Sequence, residues 1–174
     1  MRKIISLVIT LVCALCIVGC GSSKEEKQAV TGDKVKDAII KVCKDTLRTD
    51  FVSVEINDNL SGEPDSKGTK VVLVTGKIRD GSSNEKIRTA NVIRAQELFG
   101  ALYTSGQPIS KVVYFVEADE LVDGNGKKSK DNAFKFTLNK KTADKFDWKN
   151  RYSISIETFP SLIDETWMLP QFRK

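Results

Sequence analysis

Apolar residues recur in the chain after residue 32 with the spacing of two long helices. Between residues 33 and 47 they return at every fourth position, on one face of a helix: Val35, Ile39, Cys43 and Leu47. A second helix is predicted from about residue 85 to residue 103, with a buried side lined by Val92, Ala95, Phe99 and Leu102.

Polar residues suited to capping precede both helices. Thr31 or Asp33 can accept hydrogen bonds from the free N–H groups at the start of the first helix. Ser82 and Glu85 have the spacing of a capping box at the start of the second.

Five further segments have the patterns of β-strands. Residues 51–56 and 133–138 alternate between apolar and polar side chains, which is typical of a strand with one buried face. Residues 71–78 and 110–122 are apolar on both faces over much of their length, which favours central positions in a sheet. Alternation returns over residues 152–159, where a fifth strand is predicted.

The order of these elements predicts the fold class. A turn signal at residues 123–126 joins the third and fourth strands into a hairpin, and Thr142 can cap a short helix over residues 141–148. Paired strands separated by helices indicate an α+β fold, an antiparallel sheet of about five strands with the two main helices packed on one face. Helix-strand-strand occurs twice, which suggests an αββ-αββ duplication, and the doubly apolar strands indicate partial cover of the second face.

The first twenty residues have the order of an export signal. Arg2 and Lys3 precede an apolar run over residues 4–18, and a polar segment begins after Gly19 and Cys20. The apolar run falls short of the roughly 18 residues that a membrane span requires.

The end of this segment, Ile17-Val18-Gly19-Cys20, resembles the lipobox of bacterial lipoproteins, with Ile17 and Val18 in place of the commoner Leu and Ala or Ser. The resemblance implies that a diacylglyceryl group is attached to the sulfur of Cys20 and that the signal is cleaved after Gly19. Two acyl chains make such attachment stable. An unmodified secreted cysteine and an uncleaved anchor are the alternatives.

The sequence therefore divides into three predicted parts. Residues 1–19 form a lipoprotein signal peptide, residues 20–32 a lipid-anchored flexible tether, and residues 33–174 a single α+β domain. The tether contains too few apolar residues to order itself, and a flexible coil of this length reaches roughly 20 Å. The domain is expected close to the lipid headgroups.

Composition excludes several classes of function. The 174 residues include 28 Lys and Arg, 23 Asp and Glu, and no His, so removal of Arg2 and Lys3 lowers the formal charge from +5 to +3. The basic residues are interspersed with acidic ones, which argues against a nucleic-acid partner. The absence of His removes the commonest general base and metal ligand.

The motifs that resemble catalytic or metal sites have simpler explanations. Ser83 and Lys86 match the Ser-x-x-Lys pattern of penicillin-binding enzymes, but the companion motifs are missing and a helix start accounts for the segment. The acidic loop around Asp123 is followed by lysines where a calcium loop needs oxygen ligands. Cys43 is the single cysteine left after Cys20 and is read as a small buried hydrophobe. We therefore assign no catalytic residue, metal or cofactor.

The candidate binding residues are aromatic. Aromatic side chains concentrate near the C-terminus, where they either close a core or anchor a partner. Tyr152 and Trp167 are the candidates for an interface, and a core role is the alternative for the group.

Together these observations predict a non-enzymatic, membrane-anchored binding or accessory lipoprotein at the extracytoplasmic face of the cell membrane. Its partners would be the membrane, through the lipid on Cys20, and an envelope protein or ligand. The alternatives are an inhibitor or immunity-type lipoprotein, and an envelope hydrolase that works without histidine. The excess of 21 Lys over 7 Arg favours an AT-rich, Gram-positive host.

Overall fold

The fold is described from a computed structural model, which covers residues 33–63, 66–122 and 128–173. The predicted signal peptide, the Cys20 lipobox, the tether and the turn at 123–126 lie outside the described residues. The helices and strands follow in the order α1 (Lys34–Leu47), β1 (Phe51–Asp58), β2 (Lys70–Lys77), α2 (Asn84–Tyr103), β3 (Ile109–Val122), β4 (Lys128–Asn139), α3 (Lys140–Ala143), α4 (Phe159–Leu162) and β5 (Glu165–Met168).

Both predicted long helices are present. α1 is capped by Asp33, whose carboxylate accepts hydrogen bonds from the N–H groups of Val35 and Lys36. Of its predicted apolar stripe, Ile39, Cys43 and Leu47 are buried and Val35 is partly buried. The prediction of Ser82 as the cap of α2 was wrong by one residue. The hydroxyl of Ser83 accepts the hydrogen bond from the Lys86 N–H at 3.3 Å, because Ser83 has the extended backbone that a cap position requires.

Across the described residues the sheet has five strands in the order β1-β2-β3-β4-β5, and the α+β class is confirmed. The prediction that all neighbours are antiparallel was wrong at the centre, where β2 and β3 are parallel. The 20 residues of α2 extend about 30 Å and carry the chain back across the sheet, so β3 begins at the end where β2 begins. Helix-strand-strand occurs twice as predicted, and the duplication itself stays a prediction.

The predicted fifth strand and third helix were displaced. Residues 152 and 153 end a 3₁₀ turn (Trp148–Ser153), residues 154–158 are irregular, and Phe159 begins α4, so the fifth strand is β5 instead. α3 begins at Lys140, and Thr142 does not cap it. The Thr142 hydroxyl donates to a carboxylate oxygen of Asp164 at 2.9 Å, so it joins α3 to the start of β5.

The core lies between one face of the sheet and the helices. Helices α1, α3 and α4 all pack on α2, which confirms that the main helices share one face. The largest fully buried side chains on this face come from α1, α2, the central strands and α4: Ile39, Leu47, Val72, Val74, Leu98, Phe99, Leu102, Tyr114, Phe134, Phe136, Leu138 and Phe159. The cover predicted for the second face is not supplied by a described helix.

The two ends of the sheet differ in what they carry. α1 and β1 run in opposite directions, so Asp33 lies beside the end of β1, where the Lys70 side chain donates to Asp58 at 2.6 Å. The charges of Asp33 and Lys36 act on this pair. We call the end of the sheet that carries Asp58 and Lys70 the entry end. The opposite end is the far end, where Gly76, Val116, Phe134 and Met168 pair in one row across the strands.

Candidate binding cleft

A cleft of about 280 Å³ opens toward the far end, between the first half of α2 and strand β5. It is bounded by four parts of the chain that the fold brings together. The polar and charged residues at its walls are Arg88 and Thr89 of α2, Glu157 before α4, Thr166 of β5, and Arg173.

On the α2 wall, a buried apolar residue holds the helix in place and a neighbouring charged residue faces the cleft. Val92 is buried and fixes this part of α2 on the core, while Arg88, one helical turn earlier, lies half-buried at the cleft. Within the described residues, the guanidinium of Arg88 has no hydrogen-bond or ion-pair partner. Its charge is therefore available to a ligand.

The β5 wall presents the edge of the sheet. Among the described strands β5 pairs only with β4, and the bond from the Leu169 N–H to the Ala133 carbonyl at 3.0 Å fixes the register of the hydrogen bonds. In this register the N–H and C=O groups of Thr166 and Met168 point away from β4. No described backbone carbonyl outside the sheet accepts from these two N–H groups.

Arg173 is held at the end of this edge by its neighbour. Phe172 is buried and stacks on Phe134 with ring centroids 4.8 Å apart, which anchors the 3₁₀ turn Pro170–Phe172. The Nε of Arg173 then donates to the Met168 carbonyl at 2.8 Å. This bond orients the guanidinium along the strand edge, and its terminal nitrogens have no partner among the residues that the structure describes.

The electrostatics of the cleft favour a singly charged anion. Arg88 and Arg173 contribute two positive charges and Glu157 one negative charge. A guanidinium binds a carboxylate through paired N–H donors, so the cleft can hold a carboxylate group. Among the residues that the structure describes, no cluster of His, Cys, Asp and Glu could hold a metal ion.

The two predicted interface residues lie in different places. Trp167 contributes to the cleft wall and is 38% exposed. Because Trp167 pairs with Lys135 in the sheet, the Trp167 side chain lies on the face without helices. Tyr152 is 87% exposed in the 3₁₀ turn, outside the cleft, with the Arg151 guanidinium 5.1 Å from its ring centre. The other C-terminal aromatic residues have the core role that was the alternative. Phe159 and Phe172 are buried, and Phe146 and Trp148 are partly buried.

A second polar cluster lies between α1 and α2, and Arg94 is its buried member. The carboxylate of Asp50 accepts from Arg79 at 2.8 Å and from Arg94 at 3.2 Å. Arg94 is 7% exposed and also donates to the Thr46 carbonyl at 2.7 Å and to Glu97 at 3.1 Å. These bonds tie the end of α1 to the middle of α2, so the cluster is a structural joint.

Cys43 has the environment predicted for it. The side chain is fully buried on α1, and burial raises the pKa of its thiol to about 12. A thiol that stays protonated near neutral pH is a weak nucleophile.

Most of the cleft was missed by the sequence analysis. Arg88, Glu157, Thr166 and Arg173 come from separate segments, and no spacing in the sequence relates them. Trp167 was the one lining residue that had been singled out. A usable signal was the aromatic Phe172 directly before Arg173, because a buried aromatic residue fixes the position of its neighbour.

Comparison of the chain with protein-family models, with curated proteins and with solved structures finds no match. In the described part of the chain, no helix combines the length and the hydrophobicity that crossing a membrane requires.

Proposed function

We propose that this protein is a bacterial lipoprotein, held at the extracytoplasmic face of the cell membrane by lipid on Cys20. Its folded part would serve as a non-enzymatic binding or accessory module. The observation that carries the proposal is the lipobox-like sequence that ends in Gly19 and Cys20, directly after the basic and apolar segments of an export signal.

The direction of the fold supports a binding role. The chain enters the domain at Asp33, at the entry end, whereas the cleft lies toward the far end. A domain tethered through residues 20–32 would then present the cleft away from the lipid. A partner in the envelope could reach it without displacing the anchor.

The chemistry of the cleft also supports binding. Its walls carry guanidinium groups, a carboxylate and backbone groups at a strand edge, all of which can form hydrogen bonds with a ligand. Thr89 and Thr166 are the hydroxyl-bearing residues of the described lining. The Thr166 hydroxyl donates to the Pro160 carbonyl at 2.7 Å, and the chain contains no histidine to act as a base. The arrangement suits recognition better than bond cleavage.

Metabolic labelling tests the anchor. Cells that produce the full chain are grown with radioactive palmitate, and the wild-type protein is expected to carry label that the Cys20→Ala variant lacks. Cys43→Ala is the matched control, because Cys43 is buried in the domain, and this variant should retain the label. An unlabelled wild-type protein would remove the anchor from the proposal.

Site-specific crosslinking in living cells tests the binding role. A photoreactive residue placed at Thr89, in the cleft, is expected to form an adduct with a distinct envelope component. The same residue placed at Lys41, which is exposed on α1, should not form it. Identical adducts from both positions, or none from either, would contradict a role for the cleft. An adduct with an envelope enzyme that loses activity on binding would favour the inhibitor alternative.

A further inference from the structure

We propose that the cleft binds an extended, acidic peptide segment, which adds to the free edge of β5 as a sixth strand and places a carboxylate between Arg88 and Arg173. The inference rests on the binding role proposed above and is independent of the lipid anchor. The occupant is identified by its chemistry, an extended backbone with one carboxylate.

The outer edge of β5 has backbone groups that an added strand could bind. The groups of Thr166 and Met168 that point away from β4 form an edge to which another strand can bind, except that Arg173 occupies the Met168 carbonyl. An extended peptide satisfies such groups through main-chain hydrogen bonds, whatever its side chains. The N–H of Thr166, its C=O and the N–H of Met168 thus provide two donors and one acceptor.

The positive charge of the cleft favours an acidic ligand. Within the described residues Arg88 has no partner, and Arg173 forms a hydrogen bond only through its Nε. The two guanidinium groups border one cleft, whose one acidic lining residue is Glu157. A carboxylate on the peptide would remove the unpaired positive charge, and Glu157 would disfavour a second carboxylate.

The dimensions of β5 and the cleft favour a short peptide segment. A four-residue strand is about 13 Å long, which accommodates a few residues of an added strand. The cleft of about 280 Å³ is of the order expected for a short segment of peptide rather than a folded partner. The ligand is therefore a terminus or an exposed loop of a larger molecule.

A peptide selection tests the proposal with the full chain held in detergent micelles. The probe is a random heptapeptide library in which half of the members have a free C-terminal carboxylate and half an amidated one. Enriched peptides are expected to carry a single carboxylate and few helix-favouring residues. Enrichment confined to free C-termini would assign the carboxylate to a chain end, and enrichment in both halves to Asp or Glu side chains.

Variants locate the binding. Arg88→Gln and Arg173→Gln are each expected to weaken the selected peptide about tenfold, the loss of one charge-assisted hydrogen bond. Glu157→Gln should strengthen it, because a competing negative charge is lost. Lys149→Gln removes a positive charge from the exposed side of the 3₁₀ turn and should leave the affinity unchanged. Arg88→Gln keeps the test valid if loss of the Arg173 contact disturbs the fold.

Amide hydrogen exchange supplies the readout specific to strand addition. Bound peptide is expected to slow exchange at Thr166 and Met168, and a peptide N-methylated at the facing positions should bind more weakly. The proposal is overturned if no peptide is enriched, if enriched peptides lack a carboxylate, or if exchange at these two amides is unchanged in the complex. Failure of palmitate labelling would leave all of these results in place, so the anchor and the peptide site are tested separately.

Discussion

The hydroxyl oxygen of Tyr114 lies 2.7 Å from the point that a Cβ atom on Gly76 would occupy. Gly76 of β2 and Tyr114 of β3 belong to the central parallel pair, and Tyr114 is fully buried. Its hydroxyl has no hydrogen-bond partner in the described part of the chain. Burial raises the pKa of Tyr114 well above its ordinary value, and the negative charge of Asp50 adds to the effect.

Gly76→Ala is therefore expected to lower the free energy of unfolding by about 1–3 kcal/mol, since the new methyl group overlaps the tyrosine hydroxyl. Tyr114→Phe removes both the overlapping oxygen and an unpaired buried hydroxyl, so it should recover part of the loss in the double variant. Urea unfolding of the four proteins measures this. Equal stability of the double variant and Gly76→Ala would contradict the explanation.

Asp50→Ala should destabilise the protein more than an ordinary surface change. It removes the carboxylate that binds Arg94, whose side chain is 8% exposed, and we expect a loss of about 2–3 kcal/mol. The matched control is Asp45→Ala, because Asp45 forms an exposed pair with Lys41 and should contribute less than about 1 kcal/mol. Thermal or urea unfolding measures the two losses of stability. Equal losses for Asp50→Ala and Asp45→Ala would show that the Asp50 cluster does not hold α1 and α2 together.

Alkaline pH should destabilise the protein partly through Cys43. Burial raises the pKa of this thiol from 9.0 to about 12, so the folded state holds the proton more tightly than the unfolded state does. Its contribution is complete below pH 9 and is lost as the pH rises toward 12. Over that interval the wild-type protein should lose stability relative to Cys43→Ala by up to about 1.4 kcal/mol per pH unit. Parallel pH profiles of the two unfolding free energies would refute this.

Acid should weaken the joint between α3 and β5. Burial alone would raise the pKa of Asp164, but the hydrogen bonds from the Asn139 N–H at 2.7 Å and from Thr142 outweigh it and lower the pKa below its ordinary value of 3.8. The ionised carboxylate therefore stabilises the folded state above about pH 3.8, and this contribution is lost as the pH falls through the lowered pKa.

Asp164→Asn tests that contribution. Because Asp164 is exposed to solvent, the wild-type advantage over Asp164→Asn at neutral pH should be below about 1 kcal/mol. The difference should shrink as the pH falls below 3.8, and pH-dependent urea titrations of both proteins measure it. A difference that grows in acid would reverse the sign worked out above.

The elements with the clearest periodicity were predictable. Ile39, Cys43 and Leu47 are all fully buried, because a helix on a core must turn one stripe toward it. The same holds for β4, whose alternating Phe134 and Phe136 both face the helices. In these segments burial imposes the pattern that the sequence shows.

The errors arose where long-range pairing decides the structure. The stretch around Ile154 and Ile156 alternates like a strand. Its backbone is irregular instead, and the two isoleucine side chains are partly buried against the core. The place beside β4 goes to β5, whose four residues are too few for a recognisable pattern. The parallel pair had a signal that was not used, since a helix as long as α2 between two strands returns the chain to its starting end.

The cleft could not have been assembled from the sequence. Arg88 and Arg173 are far apart in the chain, and they line one cleft because the C-terminal turn Pro170–Phe172 packs on α2. Only the three-dimensional packing of these parts makes them neighbours.

The parallel contact between β2 and β3 also has a kinetic consequence. The β1-β2 and β3-β4 pairs are each formed by strands that follow one another in the chain, so either can arise early from local contacts. Their union requires closure of the loop that contains all of α2, which carries a larger entropic cost. We expect docking of two preformed halves to limit the folding rate, with the α2 interface as the last contact to consolidate.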